Sequence, residues 1–209
     1  MSNMTIYYQP LAWSIITLVI ALMLIYVSWR NYNYKKNKMW LFYFLGFLSF
    51  LIASLLQVLF AIGDNDPVSS ALYSFLVAEL VLFLSLGSAQ QLSERWLKYY
   101  YYYSIIATVI LILGIILSSP FGISSNGIPM NFPPLVPATS SVITIPATGL
   151  ILFLAARALL FKGNKTKLTS VILGVVVLGF GGMLVASGFW QVLYISEFIG
   201  MSLFLYGII

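Results

Sequence analysis

PLAWSIITLVIALMLIYVSWRNYNYKKNKMWLFYFLGFLSFLIASLLQVLFAI, residues 10–62, decides the fold. Two long apolar runs flank a short segment, and the stretch carries no charge besides Arg30, Lys35, Lys36 and Lys38. Crossing the hydrocarbon of a bilayer takes about 20 apolar residues in a helix, the form in which one segment satisfies its own backbone without water. The stretch therefore reads as a helical hairpin that crosses a membrane twice and turns at one surface. Working outward, the same pattern repeats. Seven spans are expected, at 10–29, 39–62, 67–88, 99–117, 141–160, 168–185 and 189–209. The tightest boundary falls at Ser187-Gly188, between the last two.

Composition agrees with that reading. Of 209 residues, 61% are hydrophobic and 7% charged. Water-soluble domains hold about 45–50% apolar and about 25% charged residues, and no soluble fold of this size hides such a surplus. The expected fold class is all-α, a seven-helix bundle forming a single transmembrane domain over 1–209.

The few charges set the orientation. Arg30, Lys35, Lys36, Lys38, Arg95, Lys98, Arg157, Lys162, Lys165 and Lys167 all fall on one side of a seven-span chain, whereas the connection on the other side holds Asp64 and Asp66. Cytoplasmic loops carry the Lys/Arg excess, so the N-terminus is expected outside and the C-terminus inside a multi-pass protein of the cell membrane. The net charge of +5 is then a matter of topology, and nucleic acid is not an expected partner. MSNMTIYYQ, before the first span, lacks a basic region, as suits an N-out anchor. Asp66-Pro67 supplies an N-cap and a first-turn proline for the third span. Trp29, Trp40, Trp96 and the run Tyr99–Tyr103 suit an interfacial aromatic belt.

The segment 118–139 differs in kind, with Pro120, Pro129, Pro133, Pro134 and Pro137 and almost no charge. Its apolar residues Phe121, Met130, Phe132 and Leu135 make it a lid or a docking surface on the outer face.

The chain contains no cysteine and no histidine. That excludes disulfides, thiolate nucleophiles and thiolate metal sites, and makes haem, copper or zinc held by this chain a poor expectation. No enzyme activity, cofactor or metal is expected. Glu79 and Glu197 are the two carboxylates inside spans. An ionised acid at the bilayer centre costs about 2.5–3.5 kcal/mol on insertion scales, so each must be protonated, paired or facing water. They are candidates for a proton or cation site, or for structural hydrogen bonds between helices; Gln57 and Gln191 lie near the outer ends. In the sixth span Ser170, Gly174, Gly182 and Ala186 form a small-residue row, interrupted by Leu178, that suits close helix packing.

An internal duplication emerges on sliding the chain along itself. At an offset of 127, Arg30 meets Arg157, Lys35 meets Lys162, Asn37 meets Asn164 and Lys38 meets Lys165. One residue of slip brings Phe44-Leu45-Gly46 onto Ile172-Leu173-Gly174, and a shorter loop brings Glu79 onto Glu197. This 3+1+3 layout, with the fourth span as linker, resembles the parallel-repeat seven-helix membrane proteins of the SWEET and PQ-loop families, and that resemblance implies N-out, C-in topology. Gln9-Pro10 stands at the start of the first span, but Pro146 of the fifth follows Ile145, so the second half lacks the pair. The segment from Arg30 to Lys38 with Leu45-Gly46-Phe47 is also similar to uncharacterised archaeal seven-helix proteins, a resemblance that implies no activity.

Two functional readings follow. The leading one is a non-catalytic integral subunit that helps assemble a larger membrane complex, respiratory or energy-transducing, with lipid and other membrane subunits as partners. The alternative is a small proton- or cation-coupled carrier using Glu79 and Glu197. A third, a seven-helix sensor signalling through a partner, is not of the retinal type, since every lysine flanks a span. The orientation is directly testable. A tag inserted after Lys36 is expected to stay unlabelled by an impermeant reagent on intact cells; labelling from outside inverts the topology.

Overall fold

The computed structural model describes residues 7–64, 66–118, 132–161, 165–186 and 191–208, with the side chains of 180–191 outside the description. Among the described residues there are seven helices and no strands: α1 (Tyr8–Lys35), α2 (Lys38–Ala61), α3 (Pro67–Ala89), α4 (Glu94–Leu117), α5 (Leu135–Phe161), α6 (Lys165–Ala186) and α7 (Gln191–Ile208). Helices α1 to α5 are each long and apolar enough to cross a membrane, as expected of a membrane protein.

The turns follow from local chemistry. Between α1 and α2, Lys36 takes the left-handed conformation, φ 49°, and its N–H closes on Tyr32 O. Asn37 then caps α2 by accepting the Met39 N–H at 3.0 Å. At the far end of this hairpin the Tyr7 N–H reaches Ala61 O at 2.8 Å, satisfying a carbonyl at the C-terminal end of α2. Asp66 caps α3 through Ser69 N, and Pro67 occupies the first turn, where no N–H is needed.

Two helices begin more than a turn earlier than the apolar pattern suggests. Helix α4 starts at Glu94, before its apolar run, because an acid in the first turn suits the helix dipole. Helix α5 starts at Leu135, inside the proline-rich segment, with Pro137 in its first turn. Proline ends helices from within but is tolerated at their N-termini, so composition alone misjudges this boundary.

Six helices neighbour one another in a cycle, α1–α2–α3–α5–α6–α7 and back to α1, while α4 packs outside it on α3 and α5. The main core draws on all six, with Leu24, Phe47, Leu84, Ile151, Val175 and Phe204 among its members. Phe204 stands edge-on to both Tyr43 and Phe47, with ring centroids 6.1 and 6.0 Å away. The outward faces are also apolar; Val19, Leu22 and Met23 of α1 are exposed. A helix apolar all round, with lipid as its outer solvent, accounts for this. Buried serines return their hydroxyls to their own helix, as Ser14 does to Pro10 O at 2.8 Å and Ser54 to Phe50 O at 2.9 Å.

Glycines let α2 approach α3 and α6 approach α7 closely. A Cβ on Gly46 of α2 would meet Leu80 O, Leu84 and Phe83 of α3. One on Gly174 of α6 would meet Gly200 O, Phe204 and Leu203 of α7. A second pair behaves alike: Gly87 faces Tyr43 and Met39 O, and Gly207 faces Val171 and Lys167 O. Each contact in the second group lies 128 residues on in the α2/α6 partner and 120 residues on in the α3/α7 partner.

Helix α5 carries Pro146 in its interior. The missing N–H would leave the Val142 carbonyl unpaired. The Tyr103 hydroxyl, from α4, donates to that carbonyl.

Gly174→Ala is expected to lower stability by about 1–3 kcal/mol, because its Cβ would lie 2.7 Å from the Gly200 backbone oxygen. Gly149→Ala, whose Cβ has nothing within 4 Å, should leave stability unchanged or raise it. Thermal melts of the detergent-solubilised protein compare the two.

Candidate functional site

The acid in α7 is the centre of a buried polar cluster at the end of the bundle away from the basic residues. Gln57 sits one turn before the end of α2, Tyr73 lies in the second turn of α3, and Tyr194 and Glu197 share a face of α7 at i, i+3 spacing. Gln57 Nε2 donates toward both carboxylate oxygens of Glu197, at 3.0 and 3.1 Å, and lies 3.1 Å from the Tyr73 hydroxyl. Gln57 is 1% exposed, Tyr194 0% and Glu197 9%. The site lies between the first three helices and the last three, because α2 and α3 supply Gln57 and Tyr73 while α7 supplies the acid.

Gln57 Oε1 is left without a partner, and the Tyr194 hydroxyl, which has Ser14 beside it, makes no bond of full hydrogen-bond geometry. Buried polar atoms in native proteins are nearly all hydrogen-bonded, and each exception calls for an explanation. Glu197 has a neutral partner, Gln57, and among the described residues no ion pair to it is seen. A buried carboxylate without a counter-charge is so costly that the group either carries a proton or draws a cation. Among the described residues no three of His, Cys, Asp and Glu come together. A cation here would thus rest on one carboxylate with amide and hydroxyl oxygens.

Glu79 lies elsewhere. Its partner is Thr108 of α4, whose hydroxyl donates at 2.7 Å, so it faces the peripheral helix. The two acids aligned in sequence at an offset of 118, but the glycine contacts run at 120, which sets Glu197 against Val77. The fold does not bring the two acids to one hydrogen-bonded site.

Of the small-residue row, Ser170 and Gly174 join α6 to α7: the Ser170 hydroxyl donates to Leu203 O at 2.7 Å, and Gly174 meets the Gly200 backbone. Gly182 and Ala186 lie in α6 where side chains are outside the described residues. In the proline-rich segment, Phe121 and Met130 are also outside them. Phe132 packs on the chain's own α2–α3 pair, against the cluster of Ala53, Leu56, Phe60, Tyr73 and Leu76. Leu135 is the first residue of α5 and is exposed.

The tyrosine run divides. Tyr99 and Tyr102 face outward, as a belt requires. Tyr100 shares a hydrogen bond with Ser85 at 2.7 Å, and Tyr101 accepts one from Gln90 at 2.8 Å, so these two tie α4 to α3 and the turn after it.

Sequence reasoning passed over Tyr73 and Tyr194, and gave Gln57 no partner. The i, i+3 pairing of Tyr194 with Glu197 was the available signal. Nothing along the chain links positions 57 and 197. It also missed a cavity of about 350 Å³ at the basic end, bordered by Trp40, Tyr43, Ser88, Gln91 and Lys167.

Compared with family models, curated proteins and solved structures, the chain finds no match in any of the three.

The Gln57–Glu197 bond can be tested as a cycle. Gln57→Leu alone should cost about 1–3 kcal/mol by stranding a buried acid, whereas Gln57→Leu with Glu197→Leu should recover most of that loss. Equal melting temperatures for the single and double variants would show that the bond does not contribute.

Proposed function

We propose that this chain is a small proton-coupled carrier of the cell membrane, with its N-terminus outside, its C-terminus inside and Glu197 as the coupling acid. The observation that carries the reading is the buried hydrogen bond from Gln57 to Glu197, made between the first three helices and the last three, with no basic partner for the acid among the described residues. Carriers built from parallel repeats place coupling sites at the repeat interface, within the membrane. The repeated glycine contacts, at constant offsets, support two three-helix halves in the same orientation. The order of neighbours supports it too. Exchanging α1, α2 and α3 with α5, α6 and α7 maps every contact in the cycle onto another. Helix α4 stands outside that exchange, as a linker reversing the chain direction would.

Taken along the sequence, strong polar groups inside the spans are few and far apart. Assembly of the helices gathers Gln57, Tyr73 and Tyr194 around Glu197, concentrating polar groups that the sequence leaves scattered. The amide explains how a proton could be felt. With Glu197 ionised, Gln57 donates to it through Nε2. A protonated Glu197 instead needs an acceptor, which Gln57 offers by turning its amide to present Oε1. Protonation thereby exchanges one bond between the halves for another. Thr108 holds Glu79 at the α3–α4 contact, outside this exchange.

In proteoliposomes loaded with a pH dye, a panel of small solutes should include some that drive internal acidification. Glu197→Gln is expected to reduce that signal to the level of empty liposomes, and Glu79→Gln to retain it. No solute-driven proton movement, together with stable copurification with redox subunits from native membranes, would overturn the carrier in favour of an assembly subunit.

A further inference from the structure

The acid cluster gathers oxygens in a pattern that suits more than a proton. One atom, Gln57 Nε2, has three of them around it: both carboxylate oxygens of Glu197, at 3.0 and 3.1 Å, and the Tyr73 hydroxyl, at 3.1 Å. An amide nitrogen has two hydrogens to give, so the three oxygens share fewer donors than they could use. On the other arm of the same amide, Gln57 Oε1 has no donor at all. At 1% exposure the side chain is out of reach of bulk water.

Turning the amide over changes the character of the site. The two arms of a glutamine amide are nearly alike in shape, and the turn sets Oε1 where Nε2 stands. Four oxygens then come together, two from Glu197 of α7 and one each from Gln57 of α2 and Tyr73 of α3, at the 3.0 to 3.1 Å now spanned by Nε2. Oxygens this close repel one another unless a proton or a cation stands among them. Their spacing is near that of neighbouring ligands held about 2.3–2.6 Å from a calcium ion, and sodium has nearly the same radius. Charge then selects the ion. A single carboxylate with neutral oxygens balances one positive charge, whereas a divalent ion would leave a buried charge uncompensated. Among the described residues no three of His, Cys, Asp and Glu meet, so the nitrogen and sulfur ligands of transition metals are not on offer here. Potassium, a larger ion, would need the oxygens further apart.

We propose that Glu197, Gln57 and Tyr73 form a sodium site, in which Na⁺ stands where the proton otherwise does and ties α2 and α3 to α7. The ion site stands on its own geometry; that Na⁺ exchanges there with a coupling proton rests on the carrier reading. Among the described residues, the titratable groups facing the carboxyl are Tyr73 from α3 and Tyr194 on its own helix. Helix α2 faces it with the neutral Gln57, and α1 brings Ser14 to Tyr194.

Thermal melts of the purified full chain in non-ionic detergent and mildly alkaline buffer, with sodium, potassium or choline chloride at equal ionic strength, test the site without any need for transport. Sodium at ten times its dissociation constant should raise the melting temperature of the native chain by about 3–6 °C over choline, and potassium should raise it less. Glu197→Gln should abolish the sodium shift, and Glu79→Gln, at the α3–α4 contact, should keep it. Tyr73→Phe should weaken sodium about tenfold, and it reads the site even if Glu197→Gln fails to fold. Equal melting of the native chain in sodium and choline overturns the proposal. So does a sodium shift matched in full by potassium, or one that persists undiminished in folded Glu197→Gln or Tyr73→Phe. A sodium shift lost in Glu197→Gln, with no solute-driven proton movement in proteoliposomes, upholds the ion site and removes the carrier; proton movement without a sodium shift does the reverse.

Discussion

The hydrocarbon interior of a membrane offers no water, so every polar group carried into it must find a partner within the protein. Much of this structure can be read as a response to that constraint. Serine hydroxyls bond back to carbonyls of their own helices. Pro146 opens a gap in the α5 ladder, and the Tyr103 hydroxyl reaches across from α4 to the carbonyl left behind. The two acids meet neutral donors on other helices, Thr108 for Glu79 and Gln57 for Glu197. The same rule singles out the atoms that break it. Gln57 Oε1 and Trp40 Nε1 are buried without partners, one in the acid site and one on the cavity lining.

Helix association answers a different problem. Apolar side chains gain little by leaving lipid for one another, so contact depends on close packing between backbones. Gly46 against α3 and Gly174 against α7 provide it at corresponding depths, and Gly87 and Gly207 provide it again nearer the basic end. These approaches fix the register of each helix pair. That register carries Glu197 toward Gln57 and turns Glu79 toward α4.

The bundle therefore has two chemically opposed ends. At one, an acid sits with an amide and tyrosines, poor in counter-charge. At the other, a cavity lined by an indole N–H, an amide and a lysine is rich in donors. Between them the aromatic core around Phe47 and Phe204 fills the interior. The arrangement keeps the acid cluster and the donor-lined cavity apart, at opposite ends of the bundle.

Hydropathy by itself determined the helices. The expected spans and the observed helices overlap throughout, since crossing about 30 Å of hydrocarbon demands long apolar runs that few other folds need. The starts that differ most are those of α4 and α5, where first-turn acid and proline are compatible with helix but invisible to an apolar count, and α1 runs on past its apolar stretch to Lys35. The two intramembrane acids were equally legible, because charge in an apolar run is conspicuous. Their partners were not. Gln57 and Glu197 lie 140 residues apart, and no periodicity within one helix says which face of another it will meet. Nor did an alignment of halves settle the register, since apolar residues match at many offsets while a glycine meeting a backbone oxygen fits at one. Sequence determined which groups had to be satisfied; tertiary packing decided by what, because partners across helices are chosen by backbone approach and not by order along the chain.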